Sequence, residues 1–266
     1  MLTRDLFALI ERIAPPGMAA SWDRCGVQVA SKATEVSRLA VALDPTPEAI
    51  AQALEWGAQI ILTHHPLGKV PRLPDRLDAH HEVLRLLLSH NAWLYASHTT
   101  LDCAPDGPAK WLADELALTR REIIDPQGVT EPGQVYGFGL AGDLPAPMPW
   151  ESFLKKIWRL IPRSFLTFIG RTPANVGRVA YCTGSGSSLA AKAFGGGADV
   201  FLTGDVTHHT ALDIAPLGLT IDCGHRSLEE EMTRRFAALL AQETREQSLE
   251  IHFFESADPM RACLRP

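Results

Sequence analysis

Residues 38–66 read "RLAVALDPTPEAIAQALEWGAQIILTHHP", and their pattern decides the fold class. A β-rich apolar run spans 38–43. A helix then opens near Thr46 with Pro47 in its first turn, where a missing N–H costs nothing, and a second apolar run covers 59–62. Strand, helix, strand in that spacing is a βαβ unit. The next stretch, "HEVLRLLLSHNAWLYASHTTLD", repeats the grammar with a helix over about 81–90 and a strand over about 92–97. Both strands run out of the core at histidine.

The same alternation resumes later. A helix is expected over 150–161, strands at "RVAYCTG", "DVFLTGD" and "LTIDCG", helices over "SSLAAKAFGGG" and "HHTALDIAP", and a long helix over 227–246. Between the two series lies the Pro- and Gly-rich segment 126–150, which reads as a hairpin and a seam. The expectation is therefore an α/β protein of two interlinked halves, 1–126 and 127–266, with mixed sheets flanked by helices. The final apolar stretch, "LEIHFFES", reads as a strand that either half could take.

Composition excludes several classes. With 46% hydrophobic and 21% charged residues, the 266-residue chain is close to the globular average, and no apolar run is long enough to cross a membrane. Its first residues, "MLTRDLFALIERIAPP", carry charges within the apolar pattern and no small-residue cleavage site. They read as an amphipathic helix, which points to a soluble, cytoplasmic protein. Five widely spaced cysteines without a CxxC pair argue for reduced thiols over a disulfide framework. A net charge of −6 without a Lys/Arg run disfavours nucleic acid as a partner.

Chemistry gathers at four strand ends: His64 and His65; His98 and Asp102; Asp205, His208 and His209; Asp222 and His225. Six of the ten histidines lie there, and ligands of open α/β sheets bind outside the carboxyl ends of strands. Regular alternation would point His64 and His65 to opposite faces, but Pro66 ends the strand and lets that alternation lapse. Each residue alone has a bland reading, a surface histidine or, for Asp102, a helix cap. Capping gives no reason for histidines to accumulate, and the joint pattern favours a metal site. In "GHRSLEEE", Glu229 follows His225 by four residues, so both share one helix face while Glu230 points elsewhere. A two-metal site also needs a carboxylate able to bridge ions about 3.5 to 4 Å apart, a role open to Asp102 and to an acidic residue of the last helix. The "CTGSGSSL" turn at 182–189 reads as a tight βα turn before it reads as a phosphate cradle, and Cys182 and Cys223 read as core packing.

With these residues placed, the chain resembles the Nif-three-like family of dinuclear-metal proteins, often labelled GTP cyclohydrolase I type II homologues. The resemblance rests on "SWDRCGVQVA", "ALDPTPEAI", "ILTHHPL", "SHTTLD", "CTGSGSSL", "DVFLTGDVTHHTALDIA" and "DCGHRSLE", in that order. It implies a ring-shaped homohexamer built as a trimer of dimers, in the short form without an inserted domain. It also implies two divalent metal ions, zinc, iron or manganese, held by His64, His65, Asp102, His225 and Glu229. Asp102 and Glu229 would be shared between the ions, and His98 would lie nearby, either supporting the ligands from outside their set or transferring protons. His208 and His209 match a pair near the site but outside the usual ligand set, Asp205 stands where many relatives have glutamate, and Arg226 and Leu228 depart from the common residues. The implied activity is metal-dependent hydrolysis of a small, nucleotide-type substrate; the rival readings are a phosphoesterase and a non-enzymatic ring-shaped scaffold or metal-handling protein.

Overall fold

A computed structural model describes residues 1–131 and 133–263. The chain divides into two compact units, one of Met1–Pro108 with Met232–Ala257, the other of Ala109–Glu231 with the segment from Asp258 onward.

The first unit opens with α1 (Thr3–Ile13), which buries Leu6, Leu9 and Ile10 along one stripe, as its amphipathic pattern requires. There follow β1 (Gly26–Val29), β2 (Arg38–Ala42), α2 (Pro47–Glu55), β3 (Ile60–Thr63), α3 (Ala79–His90), β4 (Trp93–Ala96) and the short α4 (Thr99–Cys103). Thr46 caps α2 by accepting the Ala49 N–H at 3.2 Å, and Pro47 occupies the first helical position. Asp78 caps α3 by accepting from the His81 N–H, and Asn91, at φ 51°, closes it in the left-handed conformation. β2, β3 and β4 run parallel and are buried along almost their whole length, which is why they read as continuous apolar runs. The sheet order is β1-β4-β3-β2 followed by the C-terminal strand Glu250–Phe254, which lies parallel to β2. The open address of "LEIHFFES" is thus the first unit.

The second unit contains α5 (Trp111–Glu115), β5 (Thr119–Val129), β6 (Val135–Pro149), α6 (Trp150–Leu160), β7 (Thr167–Ile169), β8 (Asn175–Tyr181), α7 (Ala190–Gly195), β9 (Val200–Thr203), α8 (His208–Ile214) and β10 (Leu219–Asp222). Its six-stranded sheet has the order β5-β6-β8-β9-β10-β7, parallel from β8 to β10 and antiparallel at both margins. The last helix, α9 (His225–Glu243), begins in this unit and continues into the residues counted with the first. The C-terminal strand named above is β11.

Two expectations are corrected. The seam near residue 126 falls inside β5, whose Pro126 pairs with Gly137 of β6; the Pro/Gly-rich composition belongs to a long bulged hairpin, and the division lies at 108/109. The helix expected across "SSLAAKAFGGG" is a 3₁₀ turn at Ser187–Leu189 followed by the six residues of α7, stopped by the three glycines at 195–197. Among the described residues no helix is long and apolar enough to cross a membrane.

Candidate metal centre

Each unit presents its own set of histidines and carboxylates. In the first, β3 stops where Thr63 turns its hydroxyl onto the carbonyl of His65, at 2.7 Å. The backbone still extends the ladder with His64 N–H donating to Ala42 O and His65 N–H to Leu43 O. The turn brings both imidazoles together, their ring centres 5.0 Å apart, with His64 fully buried and His65 partly so. Alternation does lapse at this strand end. His98, the residue before α4, completes the group, its ring 5.1 Å from His64 and 5.4 Å from His65. One nitrogen from each of the three falls within 4.8 Å of the others, a spacing that suits one cation.

The three rings are held the same way. His64 Nδ1 lies 2.9 Å from the carbonyl oxygen of Ser97, His65 Nδ1 lies 2.7 Å from Asp44, and His98 Nδ1 lies 2.9 Å from Asp23. A carbonyl oxygen only accepts, so His64 carries its proton on Nδ1 and keeps the Nε2 lone pair for a ligand. The carboxylates favour the same tautomer in the other two. Outer partners of this kind orient metal-binding imidazoles and strengthen them as donors. Asp102, on α4, places Oδ2 3.8 Å from His64 Nε2, beyond hydrogen-bonding distance. Sequence reasoning passed over Asp44 and left Asp23 inside a motif with no role; each sits where a strand or turn ends opposite a histidine.

The acidity of Asp23 is set by its neighbours. Burial alone would raise its carboxyl, but hydrogen bonds from His98, Thr99 and Cys25, with the charge of His98, outweigh that and hold it far below the usual carboxylate range. Its Oδ2 accepts both the N–H and the hydroxyl of Thr99, so one carboxylate caps α4 and fixes the His98 ring.

In the second unit His225 opens α9. Its Nδ1 lies 2.7 Å from Asp205 and its Nε2 lies 2.8 Å from the buried Glu229, the i,i+4 pair that the spacing predicted. Glu230 instead pairs with Arg226 at 3.0 Å, as its position on the helix requires. Asp205 adopts φ 56°, uncommon for a residue with a side chain. Asp222 ties two loops, accepting Val206 N–H on one oxygen and Gly224 N–H on the other. His208 and His209 stand exposed at the start of α8, capped by Thr207, and neither belongs to the His225 set. Within "CTGSGSSL", Gly186 donates its N–H to Thr203, and a Cβ on Gly184, at φ +61°, would strike Glu229. This is the tight βα turn, with glycine required by close approach. Cys182 and Cys223 are buried and every described cysteine is a free thiol.

The donor types fit a metal. Imidazole nitrogens with fixed Nδ1 protons, beside carboxylates, suit divalent zinc, iron or manganese.

Known proteins share the sequence and the fold of this chain. The profile of the family described as Duf34/NIF3 (NGG1p interacting factor 3) matches residues 1–259. A protein of Clostridium perfringens (strain 13 / Type A), named GTP cyclohydrolase 1 type 2 homolog, is 30% identical over 233 residues, 86% of this chain and 87% of that one. The crystal structure of a Staphylococcus aureus hypothetical protein superposes with a TM-score of 0.86 at 28% identity, covering 99% of both chains. A Bacillus cereus protein related to NIF3 reaches a TM-score of 0.88 at 20% identity, again over 99% of each chain, and shows the shared fold. A profile match spanning nearly the whole sequence, joined to the same two-sheet α/β fold, settles the relationship: this chain belongs to the DUF34/NIF3 family.

Proposed function

We propose that the protein is a metal-dependent hydrolase that uses two metal ions and acts on a nucleotide-type substrate. His64, His65, Asp102, His225 and Glu229 would hold the ions, with Asp102 and Glu229 shared between them. When bound, two divalent cations supply Lewis acidity and a water whose pKa is lowered toward neutrality. The observation that carries the reading is the uniform orientation of the histidines: each of His64, His65, His98 and His225 has an acceptor on Nδ1 within 2.9 Å. Such order on Nδ1 is what a metal-facing Nε2 needs in His64, His65 and His225, and it fixes the His98 ring beside them.

The chain's own residues then divide the work. Ser97, Asp44 and Asp205 orient the ligating rings. His98, anchored by an ionised Asp23, presents Nε2 to the reacting group and carries a proton from the attacking water to the departing atom. In ring opening of a purine, the water oxygen goes to carbon, the C–N bond breaks, and the proton ends on nitrogen. The names of relatives support a guanine nucleotide as first choice. A ring-shaped homohexamer belongs to the same proposal and sedimentation analysis tests it.

The functional test is turnover of GTP and of simple phosphoesters by protein loaded separately with zinc, iron or manganese. Metal-dependent consumption of GTP without phosphate release supports cyclohydrolase-type chemistry. Phosphoester cleavage alone moves the assignment to a phosphoesterase, and no turnover by any loaded form contradicts the hydrolase reading.

A further inference from the structure

The indole of Trp22 is 60% exposed, a large apolar surface left in water. Single exposed apolar residues are ordinary, and Leu73 and Leu77 of the loop before α3 are more exposed still. Two features set Trp22 apart. It stands edge-on to His98, with ring centres 6.0 Å apart, and His98 belongs to the three-histidine group. Its mount is also fixed at both ends by one side chain. The Ala20 N–H donates to the Thr99 hydroxyl at 3.0 Å, that hydroxyl donates to Asp23, and the Asp23 N–H closes the turn on Ala20 O at 2.9 Å. A tryptophan held rigidly beside catalytic groups, with its face open, loses little freedom when a second ring stacks on it.

We propose that Trp22 is the stacking platform for the planar heteroaromatic ring of the substrate, holding that ring beside His98. The inference deepens the proposed function and rests on its nucleotide-type substrate. Stacking on an aromatic side chain is sequence-tolerant and recognises the base by its face. It therefore separates a nucleotide from a base-free polyphosphate, which the cations alone would also attract. Cys25, close by, is not the recognition element: burial, followed by its contacts with Asp23, pushes its thiol up and keeps it protonated.

The test is direct binding by calorimetry, on metal-loaded full-length protein, of GTP and of inorganic tripolyphosphate to wild type, Trp22→Ala and Trp22→Phe, with metal content measured on each sample. The expected result is a loss of about ten-fold or more in GTP affinity for Trp22→Ala, most of it recovered in Trp22→Phe, with tripolyphosphate binding unchanged in both. Equal GTP affinity in Trp22→Ala and wild type overturns the platform and leaves the nucleotide reading standing. An equal loss of tripolyphosphate affinity also overturns it, because the effect would then be general damage to the site. If wild type that carries metal binds no GTP at all, both the platform and the nucleotide substrate fall, while the metal content still stands for the centre.

Discussion

Asp44 Oδ1 lies 2.7 Å from His65 Nδ1, so a carboxylate at the end of β2 sets the tautomer of an imidazole at the end of the neighbouring β3. The pair is local to one sheet and reaches across adjacent parallel strands. Replacing Asp44 with alanine should leave the fold intact and weaken metal binding by about 10- to 100-fold, the usual loss when an outer partner of a metal-binding histidine is removed. Competition against a chromophoric chelator measures it. Unchanged affinity would remove Asp44 from the site.

Gly184 has the opposite character, a residue whose lack of a side chain matters. At φ +61° it occupies the left-handed region, and an added Cβ would meet the carboxylate of Glu229. Gly184→Ala should destabilise the protein by about 1–2 kcal/mol through the backbone alone. It should also lower metal content by displacing Glu229. Chemical denaturation and elemental analysis on the same preparation check both parts, and a variant with full stability and full metal content contradicts them.

Asp23 predicts a pH dependence. Its folded carboxyl is held below the ordinary value, so its ionised form stabilises the fold above the unfolded value near 4, and that stabilisation is lost as pH falls from there toward the depressed folded value. Asp23→Asn should therefore be less stable than wild type at neutral pH, and the gap should narrow as the solution is acidified below about pH 4. Thermal unfolding across that range measures the gap. A difference that stays constant with pH would show that the carboxylate's charge contributes nothing.

Much of this was legible in the sequence because the strands that carry the site are buried on both faces and end at chemically distinct residues. β2, β3, β8, β9 and β10 were readable as apolar runs, and His225 and Glu229 as an i,i+4 pair. The seam was misplaced because Pro and Gly mark a bulged hairpin as readily as a linker: Gly137, near the start of β6, pairs with Pro126 of β5 and packs against the Asp125 carbonyl. Short or weakly patterned strands such as β1 and β7 carry too few residues for their period to register. The orienting carboxylates were hidden for another reason. Asp23 acts on His98 across 75 positions and Asp44 on His65 across 21, and nothing in local spacing announces a pairing made by the sheet.

The most direct test of the central claim is metal stoichiometry measured by elemental mass spectrometry on protein loaded with one metal at a time, for wild type, His64→Ala and His225→Ala. A single dinuclear centre predicts two ions per chain in wild type and a loss that exceeds one set's share in each variant, because shared carboxylates couple the two ions. If His64→Ala leaves the metal dependent on His225 untouched, or wild type binds no ion tightly, the five residues do not form one centre.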